Sequence, residues 1–120
     1  LGLSDNDPVI RYWSVVGLLL LEKQAKPAIP NLKKALNDQD EIPPLAAWAI
    51  FKAGSENFAT KWMLNEILAN PEDKMLANVL DWMDQGSFAI LAKIPENKLQ
   101  KRGLLKDIVN RYKVRTLNKP

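Results

Sequence analysis

The amino-acid sequence predicts an all-α fold, an α-α superhelix of about three to four helical hairpins. Apolar residues recur at helical spacing in three segments, which cover residues 8–21, 41–53 and 72–84. These segments align with one another at a shift of 33 residues, and such a repeat is typical of an α-solenoid. No alternating run is flanked by Asn-Gly or Asp-Gly turns, so strand signals are weak.

Helix-capping residues lie at the starts and ends of the three segments. Asp7, Asp40 and Asp73 occupy one column of the alignment, and we expect these carboxylates to cap helix N-termini. Asn70-Pro71 is expected to open the third segment. Gly54 and Gly86 follow the second and third segments, and glycine suits the residue after a helix end.

The aligned columns predict the core. A single hairpin cannot bury its own apolar face, whereas stacked hairpins share a continuous interior. The columns are Val9, Ile42 and Met75; Trp13, Ala46 and Val79; Val16, Ala49 and Trp82; and Gly17, Ile50 and Met83.

The same columns predict which tryptophans are buried. Trp13 and Trp82 are predicted to be core residues, and Trp62 has the same interpretation on its own helix. Trp48 lies beside the apolar stripe of its segment and has two interpretations. It either packs against a neighbouring repeat or is a partly exposed anchor for a partner protein or a sugar ring.

The intervening segments predict the partner helices. Apolar periodicity indicates helices over residues 28–36 and 56–69, and a shorter one over 87–93 that stops at Ile94-Pro95. A last helix is predicted from about Asn97 to Tyr112. We expect one domain over residues 1–120, in which 97–120 form a capping helix and a basic tail.

Several of these stretches resemble HEAT repeats. Residues 5–11, Asp-Asn-Asp-Pro-Val-Ile-Arg, resemble the inter-helix turn and second-helix start of that family, and residues 28–32 resemble its proline-containing first helix. The resemblance covers residues 4–94 and implies a turn aspartate paired with an arginine six positions later. Asp5 and Arg11 have that spacing and form the expected structural turn pair. Position 44, six residues after Asp38, is a proline.

A narrower resemblance concerns Asp-Pro-Val-Ile-Arg-Tyr-Trp at residues 7–13 and Gly-Leu-Leu at 17–19. These stretches resemble the helical-repeat segment at the C-terminal end of some bacterial sulfatases, particularly heparan N-sulfatase-like ones. The resemblance implies a catalytic domain before residue 1 and a periplasmic or extracellular location. The sulfatase maturation motif, Cys or Ser followed by x-Pro-x-Arg, does not occur here, so this chain would be an accessory region.

The composition excludes several kinds of chemistry. The chain has no cysteine and no histidine, which excludes Ser-His-Asp and Cys-His triads as well as cysteine zinc sites. We therefore expect no enzyme activity, cofactor or metal in this chain. The acidic turns at residues 5–7 and 38–41 are interpreted as helix caps rather than cation sites. The apolar run at 15–21 is too short to span a membrane.

Positive charge is concentrated at the C-terminal end. The net charge is +3, and eight basic residues against one acid follow residue 97. Lys98, Lys101, Arg102 and Lys106 have helical spacings that predict one basic face. This face either binds a nucleic-acid backbone or is a solvated surface of a terminal helix.

The N-terminal segment predicts an interaction surface. Residues 8–21 are interpreted as a second helix without its first-helix partner, and residues 15–21 are apolar nearly all round. In the isolated chain we expect this surface to be exposed, dimerised or rearranged. The sequence thus predicts a non-catalytic module that packs against a preceding domain of its parent chain or against another protein.

Overall fold

The computed structural model describes residues 2–85, 89–98 and 103–117, and it confirms the all-α class. Its α-helices are α1 (Pro8–Leu21), α2 (Ile29–Ala35), α3 (Ile42–Ala53), α4 (Glu56–Ala69), α5 (Lys74–Asp84) and α6 (Leu104–Leu117). Short 3-10 helices cover Gly2–Ser4, Glu22–Ala28, Leu91–Lys93 and Glu96–Lys98. No strand occurs in the described ranges.

The backbone clusters into two compact units, Leu1–Trp62 and Met63–Pro120. The number of stacked hairpins, their superhelix and a single domain over residues 1–120 stay predictions. Within the described ranges, no helix combines the length and the apolar content that crossing a membrane requires.

Helix α1 begins and ends where the sequence predicts. The Asp7 side chain accepts a hydrogen bond from the Val9 backbone N–H at 2.9 Å, and Pro8 occupies the first turn. The missing N–H of a proline costs nothing at that position, because no intrahelical partner exists for it. Asp73 caps α5 in the same way and accepts from the Leu76 N–H at 3.0 Å.

The predicted cap of α3 is wrong. The cap position is Glu41, which makes no side-chain capping hydrogen bond, and Asp40 lies one residue earlier with φ of 59°. A capping side chain bonds the N–H of the second or third helical residue. In α3 those residues are Pro43 and Pro44, so neither donor exists. The end of α3 at Gly54 is confirmed, with φ of 121°.

Helix α3 is the centre of the first unit. Eight of its twelve residues are buried, and it packs against both α1 and α2. Leu32 of α2 and Val15 of α1 are fully buried with it. Such burial on more than one side explains why α3 shows little amphipathic contrast between its faces.

The aligned columns lie in unlike environments, and four predicted core positions are wrong because they are exposed: Val9, Trp13, Gly17 and Trp82. Trp13 is 63% exposed where its column partner Ala46 is fully buried, and Trp82 is 44% exposed. The buried residue of α1 is Val15, which lies roughly opposite Trp13 around a helix of about 3.6 residues per turn. The repeat thus located the helices but misassigned the buried face of α1. Trp62 is half-buried.

The second unit contains the pair α5 and α6. Asp84, at the end of α5, is 3% exposed, and its carboxylate accepts from the backbone N–H groups of Ala89, Ile90 and Leu91 at 2.8, 3.1 and 3.1 Å. The Tyr112 hydroxyl of α6 donates to the Asp81 carboxylate at 2.6 Å. These contacts connect the end of α5 to residues 89–91 and connect α5 to α6.

The helices between the three repeated segments agree in part with the prediction. Helix α4 has the predicted bounds, whereas residues 22–28 before α2 form a 3-10 helix. The last helix begins at Leu104 rather than near Asn97, because Gly103 has φ of 142° and interrupts the helical backbone. In the described part of the predicted helix at 87–93, Leu91–Lys93 form a 3-10 helix that ends at Ile94. Gly86 lies outside the described residues.

Candidate interaction surface

Helix α1 presents large apolar side chains to solvent. Val9, Trp13 and Leu20 are 60%, 63% and 77% exposed, and their spacings of four and seven residues place them on one strip of the helix. Ile10 and Leu21 flank this strip and are also exposed. We call these five residues the α1 apolar face. Of the outcomes expected for residues 8–21, exposed, dimerised or rearranged, exposure is seen at these five residues, whereas Val15 is buried.

Gly17 interrupts the α1 apolar face with bare backbone. A Cβ atom added at Gly17 would meet no atom within 4 Å, so the space above this residue is open. Another protein segment can therefore approach the helix backbone closely at this point.

A groove of about 370 Å³ adjoins the N-terminal half of the face. The Tyr12 and Trp13 rings pack edge to face, with centroids 5.2 Å apart and planes at 88°, which is a favourable aromatic geometry. The opposite wall comes from the turn that leads into α3. The groove is lined by Pro8, Val9, Tyr12, Trp13, Asp40, Glu41 and Ile42.

An ion pair connects α1 to the turn before α3. Arg11 donates from Nε to Asp38 Oδ2 at 2.8 Å and from Nη2 to Asp38 Oδ1 at 3.3 Å. The hydrogen bond from Arg11 holds the pKa of Asp38 below its usual value, and the same bond raises the pKa of Arg11. The charged forms of both groups are therefore favoured.

Arg11 contacts Asp5, its predicted turn partner, only through the backbone carbonyl of Asp5. Arg11 Nη1 donates to the backbone carbonyls of Asp5 and Asn6 at 2.8 and 3.1 Å, whereas its carboxylate partner is Asp38. In the HEAT-repeat pattern, the arginine lies six residues after its aspartate. The arginine that pairs with Asp38 instead comes 27 residues before it.

A second cavity, of about 500 Å³, surrounds this ion pair and is lined largely by polar residues. Its arginine already makes four hydrogen bonds within the protein. Arg11 is therefore a structural cation here, and this cavity does not offer an available guanidinium to an anionic ligand.

The basic C-terminal residues are partly engaged within the chain. Lys106 Nζ donates to Glu96 Oε1 at 3.0 Å, and Lys113 Nζ pairs with the other oxygen. These lysines, Lys113 first, lower the pKa of Glu96. The Lys98 side chain, Lys101 and Arg102 lie outside the described residues, so the predicted basic face stays a prediction.

Trp48 lies half-buried on α3 between the buried residues Ala47 and Ala49. It is not among the residues that line the groove beside α1. Both interpretations of Trp48, packing residue and partial anchor, thus stay open. The described residues contain no cluster of three or more potential metal ligands.

Comparisons with models of protein families, with curated proteins and with solved structures found no match for this chain. The fold and its surface define an all-α protein with an exposed apolar helix face beside an aromatic and acidic groove. That face and that groove are therefore the features that bear on function.

Proposed function

We propose that the chain is a non-catalytic helical module that packs against another protein segment through the α1 apolar face. The segment belongs either to an adjoining domain of the same polypeptide or to a separate protein. The observation that carries this proposal is the exposure of Val9, Trp13 and Leu20 on one strip of α1.

The two sides of α1 differ in how much apolar surface they bury. On one side Val15 is fully buried, and α1 makes its principal helix contact with α3. On the other side, large apolar side chains remain in water, where burial of each would contribute about 1.5–3 kcal/mol. Exposed apolar side chains grouped on one helix face are characteristic of interaction sites. Helix α1 is thus anchored on one side and available on the other.

The resemblance to sulfatase C-terminal segments suggests one particular neighbour. The resembling stretches, residues 7–13 and 17–19, both lie on or beside α1. We propose that the module is an accessory region whose α1 face packs against a sulfatase-like catalytic domain. The reading frame upstream of residue 1 tests this. A Cys or Ser followed by x-Pro-x-Arg supports the proposal, and an unrelated upstream domain contradicts it.

Site-specific photo-crosslinking tests the packing function itself. Leu20 is replaced by p-benzoylphenylalanine in the full-length protein of the source cell, and the cross-linked peptides are identified by mass spectrometry. We expect one defined polypeptide segment to be captured, and Trp13→Asp to abolish that capture.

Lys61 is the matched control position, because it is exposed on α4 and lies outside the α1 apolar face. The same photoprobe at Lys61 should give only weak and diffuse products. If the products at Leu20 are equally diffuse, the packing function is wrong.

Nucleic-acid binding by the basic C-terminal helix is the alternative proposal. Its support is the positive charge of α6, where Arg111 is largely exposed. The pairing of Lys106 and Lys113 with Glu96 weakens the local positive field. An electrophoretic mobility shift with duplex DNA tests it, because phosphate contacts make affinity fall steeply with salt. Loss of binding on neutralising Lys101, Arg102 and Lys106 would support the alternative.

A further inference from the structure

We infer that the groove beside α1 receives a lysine or arginine side chain of the partner protein, flanked in the partner by aliphatic residues. This inference rests on the proposed packing function and adds the chemistry of the partner. It follows from the aromatic wall, the acidic wall and the charge that the groove leaves unbalanced.

The aromatic wall suits a cation. The Tyr12 and Trp13 rings meet at 88° and form a corner, and Trp13 is 63% exposed. A lysine or arginine head group is attracted to the face of such rings within about 6 Å of a centroid. The aliphatic stem of the same side chain packs on apolar surface, which Val9 and Ile42 supply in this groove.

The acidic wall favours the same occupant. Asp40 and Glu41 line the groove and are exposed. Neither of them forms an ion pair with any residue in the described part of the chain. Asp38, two residues earlier, contrasts with them because Arg11 neutralises it.

The groove therefore carries two formal negative charges that its own walls do not balance. The residues that α1 contributes to it, Pro8, Val9, Tyr12 and Trp13, are all uncharged. The N-terminal end of α3 supplies a positive dipole equivalent to about half a charge, which offsets only part of the two carboxylates. A cationic side chain completes the balance.

The same charge argues against other occupants. A second copy of this chain, docked symmetrically through the groove, would bring Asp40 and Glu41 of each copy close to those of the other. Like charges placed against one another oppose association. A nucleic-acid backbone is anionic and is disfavoured for the same reason. The partner that fits best is a protein segment with a basic residue between aliphatic ones.

Selection from a phage-displayed library of random peptides on the immobilised chain tests the inference. We expect the enriched peptides to carry lysine or arginine beside aliphatic residues. The paired substitutions Asp40→Asn and Glu41→Gln should weaken binding of a selected peptide about fivefold or more, and raised salt should weaken it further. Asparagine tolerates the positive φ of residue 40, so the turn should be retained.

The controls separate this inference from the function on which it rests. Glu72→Gln, an exposed acid outside the groove, should leave peptide binding unchanged, and circular dichroism checks the fold of each variant. Peptides that require Trp13 but show no basic preference, or that bind the Asp40→Asn, Glu41→Gln variant equally well, overturn the inference and leave the packing function standing. Failure to enrich any peptide that depends on Trp13 or Leu20 counts against both.

Discussion

Arg11 Nε lies 2.8 Å from Asp38 Oδ2, although the two residues are 27 positions apart in the sequence. This contact ties the first turn of α1 to the turn that leads into α3. Those two segments supply the two walls of the groove. The ion pair is therefore expected to hold Tyr12 and Trp13 opposite Asp40 and Glu41.

The Arg11–Asp38 ion pair should make the free energy of unfolding depend on pH in the acid range. Because folding lowers the pKa of Asp38, the pair stabilises the chain above the unfolded value of about 3.9. That contribution is lost as the pH falls through the lower folded value. Urea midpoints of the parent and of Asp38→Asn should differ at neutral pH and converge in acid. An unchanged difference at about pH 2 would contradict this assignment.

Asp84 should be the most sensitive polar residue of the second unit. Its carboxylate, which is 3% exposed, accepts from the backbone N–H groups of Ala89, Ile90 and Leu91. Asp84→Ala should lower the free energy of unfolding by about 2–4 kcal/mol, because buried donors lose their acceptor. Asp84→Asn should cost less, since its amide oxygen still accepts.

Asp73→Ala, which removes an ordinary helix cap, should cost about 1 kcal/mol in the same urea experiment. An Asp84→Ala loss no larger than that of Asp73→Ala would show that the turn does not depend on the carboxylate.

Substitutions of exposed apolar residues should impair binding, whereas substitutions of buried ones should lower stability. Leu20→Ser should change the free energy of unfolding by no more than about 0.5 kcal/mol, and Trp13→Ser by about 1 kcal/mol because its edge contact with Tyr12 is lost. Trp13→Ser should also abolish photo-crosslinking from the probe at residue 20. Leu32→Ala removes a fully buried side chain and should cost about 2–5 kcal/mol. Thermal or urea unfolding checks both effects. A large loss of stability in Trp13→Ser would mean that Trp13 belongs to the core.

Gly17→Ala should stabilise α1 by about 0.5–1 kcal/mol, because alanine loses less backbone entropy than glycine in a helix. The added Cβ meets no neighbouring atom, so no clash opposes this gain. Gly54→Ala is the contrasting variant and should destabilise, since φ of 121° disfavours any side chain. A stabilising Gly54→Ala in the urea measurement would disagree with this conformation at the end of α3.

Local signals in the sequence predicted much of the fold. The caps Asp7 and Asp73 and the stop at Gly54 depend only on residues close in sequence, and they are confirmed. The third segment, however, begins at Lys74 rather than at Asn70-Pro71. Asp40 failed as a cap because the cap position is Glu41, where prolines at the second and third helical positions leave no N–H group to bond. Periodicity defined the helices but did not identify which side of α1 packs on α3. Which side of a helix is buried depends on its tertiary contacts, and the contacts of α1 with α3 leave Trp13 in solvent.

The candidate site was predicted only in part. The apolar character of residues 8–21 indicated an available surface, and the structure shows that surface. The groove itself combines residues of α1 with Asp40 and Glu41, which are distant in sequence, and the turn acids were interpreted as caps. Helical spacing could not reveal the pairing of Arg11 with Asp38, because it joins two separate helical segments.

The exposure of Trp13 has an optical consequence. An indole in water emits at longer wavelength and is quenched more readily by acrylamide than one that is buried. A partner that covers α1 should therefore shift the emission of Trp13 toward the blue and protect it from the quencher. Comparison with Trp13→Phe isolates this signal from the other tryptophans, so the chain carries its own reporter of occupancy.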